Sequence, residues 1–143
     1  MKGILFDLPH VIERAKERIR ASGLLDRCKL VSGSFFDAVP QGADAYILRH
    51  IIHDWDEEKC VTILRNCHRA MPPTSKLLVV ESVIPPGNEP FYGKFLDLHM
   101  MLIPGGKERT ENEYRTLFER AGFELTRVVP TATEVSVVEG TKR

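Results

Sequence analysis

The sequence predicts an α/β fold with a mostly parallel sheet covered by helices. Three observations carry that expectation. Short apolar runs alternate with stretches of helical period along the chain. The runs at 44–52 and 76–84 are nearly all apolar, as in strands whose two faces are both covered. Acids, prolines and glycines stand where helix caps and stops belong.

Taken in order, Ile4-Leu5-Phe6-Asp7 is a short apolar strand that ends in an acid and is closed by Pro9. Residues 11–22 follow as a helix, with Val11, Ile12, Ala15 and Ile19 on one face and Gly23 where a C′ glycine belongs. Residues 28–36 read as strand then loop, and 44–52 as the next strand. Asp54 then caps a helix, and Glu57 three residues on completes a capping-box pattern. The buried stripe of that helix is Cys60, Ile63, Leu64, Cys67 and Met71, and Pro72-Pro73 ends it. Residues 76–84 form a third buried strand, broken by Pro85-Pro86-Gly87. Residues 91–102 read as helix, with Leu96, His99 and Met100 on or near one face, and Pro104-Gly105-Gly106 as loop. Thr110 with Glu113 opens a second capping box, on a helix that carries Tyr114, Leu117, Phe118 and Ala121 and stops at Gly122. Residues 124–129 and 134–140 end the chain as two strands, an antiparallel pair. The predicted order is β-α-β-β-α-β-α-α-β-β.

Composition narrows the function. A chain of 143 residues is one domain, large enough for a true core. Lys and Arg number 20, as do Asp and Glu, so the footprint of a nucleic-acid binder is missing. No apolar run approaches the roughly 20 residues that cross a bilayer, so no membrane partner is expected. The start Met1-Lys2-Gly3-Ile4-Leu5-Phe6 is too short an apolar stretch for a signal peptide. Three cysteines, without metal-type spacing, fit a reduced, cytoplasmic protein.

The most informative segment is Ile47-Leu48-Arg49-His50-Ile51-Ile52-His53-Asp54-Trp55. It reads as a buried strand that ends in a histidine and turns into an acid-capped helix. Open α/β sheets bind ligands outside the carboxyl ends of their strands, and an imidazole there is a candidate general base.

Four collinear segments carry a family resemblance: Phe6-Asp7-Leu8-Pro9, Gly33-Ser34-Phe35-Phe36 with Val39-Pro40, the run from Arg49 to Trp55, and Gly105-Gly106-Lys107-Glu108-Arg109-Thr110. Together they resemble the class I S-adenosylmethionine-dependent O-methyltransferases of the caffeic acid and acetylserotonin type, including bacterial relatives. The resemblance covers essentially the whole chain. It implies a Rossmann-like methyltransferase sheet, mostly parallel, with an antiparallel C-terminal strand pair. It also implies that the chain is the C-terminal portion of the catalytic domain. The first strand with its glycine-rich loop, and the N-terminal dimerisation domain, would lie upstream of Asp7. A homodimer is the family expectation for the full-length enzyme.

The resemblance assigns roles residue by residue. Asp7, with Leu8 beside it, matches the acid that holds the ribose hydroxyls of S-adenosyl-L-methionine; the alternative is an N-cap. Ser34 stands where many relatives have an acid near the adenine, and a neutral hydroxyl accepts more weakly than a carboxylate. Phe35 would stack near the adenine or else pack in the core. Arg49 matches a cofactor-contacting cation, or is solvated or paired with Asp54 or Asp56. His53 matches the catalytic base, flanked by Glu81 and Glu108; local pairing for Glu81 and solvation for Glu108 are the alternatives. A phenol titrates near 10 and a histidine near 6.5, so full proton transfer runs uphill by roughly 5 kcal/mol unless it accompanies methyl transfer or neighbouring carboxylates stabilise the imidazolium. Asp54 and Met100 would line the acceptor site. Met101 and Leu102 read as core or lining, while His50, His68 and His99 read as packing or surface residues.

The implied function is methyl transfer from S-adenosyl-L-methionine to a hydroxyl of a small aromatic acceptor, with His53 as general base. The alternative from another class is a catalytically silent α/β fragment or binding module with weak cofactor affinity. Without a central first strand, the strands ending at Asp7 and Arg49 would have unpaired edges.

Overall fold

A computed structural model describes residues 1–102 and 105–143. Pro104 of the expected loop lies outside the described residues. The elements are β1 (Gly3–Asp7), α1 (Pro9–Ala21), β2 (Cys28–Ser32), β3 (Ala45–Arg49), a 3-10 turn (Ile52–Asp54), α2 (Glu57–Ala70), β4 (Lys76–Glu81), β5 (Val83–Ile84), α3 (Gly93–Leu102), β6 (Arg109–Thr110), α4 (Glu111–Arg120), β7 (Phe123–Pro130) and β8 (Ser136–Lys142).

The architecture is α/β with parallel pairing and an antiparallel C-terminal strand pair, as the sequence predicts; that pair joins the main sheet by a second antiparallel contact, of β8 with β4. Strands β3 and β4 run parallel, and β8 inserts antiparallel between β4 and β7 in the order β3-β4-β8-β7. Strands β1 and β2 form a separate parallel pair, with Asp7 opposite Ser32. A third pair, β5 with β6, is only two residues long.

The core lies between the four-stranded sheet and helices α2 and α4. Cys60, Ile63, Leu64 and Cys67 form the buried stripe of α2 at the predicted spacing. From α4 come Tyr114, Leu117 and Phe118, and from the strands Leu77, Val79, Phe123, Leu125 and Val138. Each fully buried aliphatic side chain contributes about 1.5–3 kcal/mol relative to exposure. The sequence's second capping box forms completely: the Thr110 hydroxyl accepts from the Glu113 N–H, and the Glu113 carboxylate accepts from the Thr110 N–H at 2.8 Å.

Several local expectations are corrected. The strand at 44–52 stops at Arg49, because His50 takes a left-handed φ of 51° and turns the chain. Asp54 does not cap α2; it ends the 3-10 turn, and Asp56 caps instead, its carboxylate accepting from the Lys59 N–H at 2.9 Å. The run at 76–84 divides at Ser82, after which β5 leaves the main sheet to pair with β6. Strand β3 is covered on one face only, and Ile47 is 66% exposed. Its period-two burial is that of a half-covered edge strand rather than a doubly covered one.

Helix α1 has the predicted stripe of Val11, Ile12, Ala15 and Ile19, but all four are only half-buried, against β1 and β2. Truncations should therefore separate the two regions. Leu64→Ala is expected to lower unfolding free energy by about 2–5 kcal/mol, and Ile19→Ala by under about 1.5 kcal/mol. Urea denaturation of both variants measures this, and equal losses would contradict the placement of the core.

Candidate active site

The site is built where three chain segments meet at the carboxyl end of the main sheet. After β3, the left-handed His50 reverses direction, its N–H still bonded to the Val80 carbonyl at 3.2 Å. The next two N–H groups, of Ile51 and Ile52, both donate to Glu81 Oε1 at 2.9 Å. Glu81 ends β4 and is fully buried, so its carboxylate acts as a cap supplied from another strand. The 3-10 turn held this way carries His53, which is 7% exposed.

The loop 105–108 closes over the turn. A Cβ on Gly106 would lie 1.8 Å from the His53 carbonyl oxygen, a backbone atom that cannot step aside. Only glycine permits that approach. Two residues on, Glu108 Oε1 meets His53 Nδ1 at 2.7 Å. Asp97 of α3 fixes this loop by accepting from the Glu108 N–H at 2.8 Å.

Arg109 follows with a fully buried guanidinium. It donates to the Ile52 carbonyl at 3.1 Å, to the Trp55 carbonyl at 3.2 Å and to Glu57 Oε1 at 3.1 Å. The planar fork thus ties both ends of the His53 turn to the first turn of α2. Cys60 lies against the same guanidinium, 3.4 Å away, and burial pushes its thiol up to about 11, so it stays protonated.

The electrostatics follow from two carboxylates around one ring. Burial disfavours a charged imidazole, but the Glu108 hydrogen bond and the charges of Glu81, Glu108 and Asp54 outweigh it, so His53 titrates above an ordinary histidine. Glu81 Oε2 lies 3.5 Å from His53 Nδ1, and burial raises the Glu81 carboxyl to about 7. Nδ1 donates to Glu108, which leaves the Nε2 lone pair as the ring's free acceptor. Asp54 Oδ1 stands 3.4 Å from Nε2.

The other expected residues fall in two places. Asp7 and Ser34 sit at the carboxyl ends of adjacent strands, joined by the bond from the Gly33 N–H to the Asp7 carbonyl at 3.0 Å. Asp7 Oδ1 accepts from the Leu8 N–H at 2.7 Å, and Ser34 Oγ accepts from the Phe36 N–H at 3.2 Å. The Phe35 ring packs edge-on to Phe36 and Trp55. Arg49 ends β3, and no ion pair joins it to Asp54 or Asp56 among the described residues. Met100 is half-buried on α3, while Met101 and Leu102 are exposed.

Sequence reasoning missed three residues at the site. His50 reads as a packing or surface residue without a role, yet its ring lies 5.2 Å from that of His53, with Nδ1 3.7 Å from Glu81 Oε2. Asp97 and Arg109 carry no role in the sequence reading, although Arg109 stands inside the quoted Gly-Gly-Lys-Glu-Arg-Thr motif. His68 does pack as expected, edge-on to Phe123.

Replacing Arg109 by Met leaves the Ile52 and Trp55 carbonyls the weak Cys60 thiol donor, with a long 3.4 Å bond from the Trp55 N–H to the Ile52 carbonyl, and should cost about 1–3 kcal/mol. Arg109→Lys should restore only part of this, because an ammonium cannot serve a forked set of acceptors. Denaturant melts of the two variants test the assignment.

Comparison with known proteins places these features in context. A family model described as the O-methyltransferase domain matches residues 1–124. Phenazine O-methyltransferase PhzM of Lysobacter antibioticus is 54% identical over 138 residues, covering 96% of this chain and 40% of its own length. The LaPhzM crystal structure superposes with a TM-score of 0.96 at 52% identity, over 99% of this chain and 43% of that one. NcsB1 from neocarzinostatin biosynthesis, solved with S-adenosylmethionine and 2-hydroxy-5-methyl naphthoic acid, gives a TM-score of 0.90 at 36% identity, over 100% of this chain and 42% of that one. The chain thus spans about 40% of the length of the relatives it matches. With the family model covering residues 1–124 and the LaPhzM fold superposing over 99% of the chain, the chain belongs to the O-methyltransferase domain family.

Proposed function

We propose that this chain is the base- and acceptor-bearing portion of an S-adenosylmethionine-dependent O-methyltransferase that acts on a hydroxyl of a small aromatic molecule. The observation that carries the reading is the buried His53–Glu108 pair, 2.7 Å long, with Glu81 behind it. NcsB1 binding a hydroxylated naphthoic acid supports an aromatic acceptor of this size.

The residues present fit the cofactor's nucleoside end. Asp7 uses one carboxylate oxygen on the Leu8 N–H and keeps the other for a ribose hydroxyl. Beside it, a cleft of ≈540 Å³ is lined by Phe6, Val31, Gly33, Ser34, Val39 and Pro40. Ser34 keeps its hydroxyl proton to donate to a ring nitrogen, and Phe35 and Arg49 complete this side. When bound, S-adenosylmethionine supplies an electrophilic sulfonium methyl.

The chain's own part is proton management. His53 Nε2 takes the acceptor's hydroxyl proton as the oxygen becomes a nucleophile, and later releases it to solvent. Glu108 holds the ring in the Nδ1–H tautomer, and Glu81 and Glu108 stabilise the imidazolium. Asp54, beside Nε2, and Met100, on α3, border the acceptor.

The base should contribute about 10²- to 10⁴-fold. In a catalytically competent form of the protein, His53→Ala should lower kcat by that amount with little change in cofactor affinity; near-normal turnover would remove His53 from the role. Because His53 is held above its usual range, kcat/KM should fall on acidification through a pH above about 6.5, where the ring gains its proton. A limb lying below that value would contradict the geometry.

A specific observation supports the second reading, a silent binding module. Strands β1–β2 and the four-stranded sheet do not hydrogen-bond to each other among the described residues, so no continuous sheet links the nucleoside side to the base side. Calorimetric titration of the chain with S-adenosylmethionine separates the readings. Micromolar binding favours the competent enzyme, and no binding favours the module.

A further inference from the structure

The left-handed His50 puts a second imidazole beside His53, on the side of the ring away from the acceptor. We propose that His50, His53 and Glu81 form a binding site for a divalent transition-metal ion of the Zn²⁺ class, and that metal held there switches the base off.

One donor atom from each of the three residues lies within 4.8 Å of the others. Glu81 Oε2 stands at the centre, 3.7 Å from His50 Nδ1 and 3.5 Å from His53 Nδ1. Donors about 3.3 Å apart surround a tetrahedral ion with bonds of roughly 2.0–2.1 Å, so two of the three separations need to close by only a few tenths of an ångström. The more exposed His50, whose side chain is 40% accessible, is the partner free to close them.

The second observation is the state of Glu81. It is fully buried, Oε1 is used by two backbone N–H groups, and Oε2 has no hydrogen-bond partner. A buried carboxylate oxygen without a donor is costly to hold, and a cation between it and two imidazoles satisfies it. Two imidazoles with one carboxylate is a donor set that suits Zn²⁺ and its neighbours rather than Mg²⁺ or Ca²⁺. Three protein donors leave the fourth position of a tetrahedral ion to a water molecule.

Occupation moves the ring proton from Nδ1 to Nε2 through solvent, with no net proton released from a neutral ring. The ion takes the Nδ1 lone pair of His53, and the neutral ring then carries its single proton on Nε2. Nε2 can no longer accept a proton from the acceptor. Only this inhibitory consequence rests on His53 being the base; metal uptake does not.

The test is calorimetric titration of ZnCl₂ into the full chain, freed of metal by chelation and kept reduced. Wild type should bind one equivalent. His50→Asn should weaken binding by about 10- to 100-fold or more, and asparagine keeps the left-handed φ without strain. Cys28→Ser should bind as wild type does, excluding a thiol site at the half-buried cysteine. No saturable uptake, unchanged affinity in His50→Asn, or loss of binding in Cys28→Ser would each overturn the site. Because the readout is heat and stoichiometry, failure here is distinguishable from failure of methyl transfer.

Discussion

Two buried carboxylates converge on one imidazole, and the architecture around them serves to make that possible. Glu81 ends β4 and Glu108 lies in the loop before β6; both are buried, and they approach His53 Nδ1 at 3.5 and 2.7 Å. Two acids in a low-dielectric interior repel each other and lose hydration, so the arrangement holds only if something positive or proton-bearing stands between them. The imidazole fills that place. Burial raises the Glu81 carboxyl to about 7.

The fold provides the scaffold for this pairing through backbone contacts. Glu81 binds the two N–H groups that open the 3-10 turn, Arg109 binds two of its carbonyls, and Gly106 lets the Glu108 loop lie against it. The core of α2, α4 and the main sheet anchors those groups. Strands β1 and β2 with α1 form a less buried satellite that carries Asp7 and Leu8, while Arg49 ends β3 of the main sheet.

Much of this is legible in the sequence, for physical reasons. Helix stripes and the Thr110–Glu113 box depend on local period and capping, and both form as read. The motif residues His53, Glu81 and Glu108 do meet in space. What the sequence hides is backbone geometry that depends on distant partners. The sequence pattern puts the cap at Asp54, but Glu81 and Arg109 fix the preceding turn and move the cap two residues along to Asp56. His50 looks like a packing or surface residue because nothing local announces a left-handed φ at a non-glycine. The apolar run 44–52 suggests two covered faces, yet Ile47 is exposed on an edge strand.

The central claim is that the carboxylates, Glu108 foremost, hold His53 protonatable above its ordinary range. The most direct measurement is an NMR titration of the His53 ring in the chain and in its Glu108→Gln variant, which keeps the shape of the hydrogen bond and removes the charge. His53 should titrate above about 6.5 in the unaltered chain and at a lower pH in the variant. A His53 that titrates at or below the ordinary value, or that is indifferent to Glu108→Gln, would contradict the account.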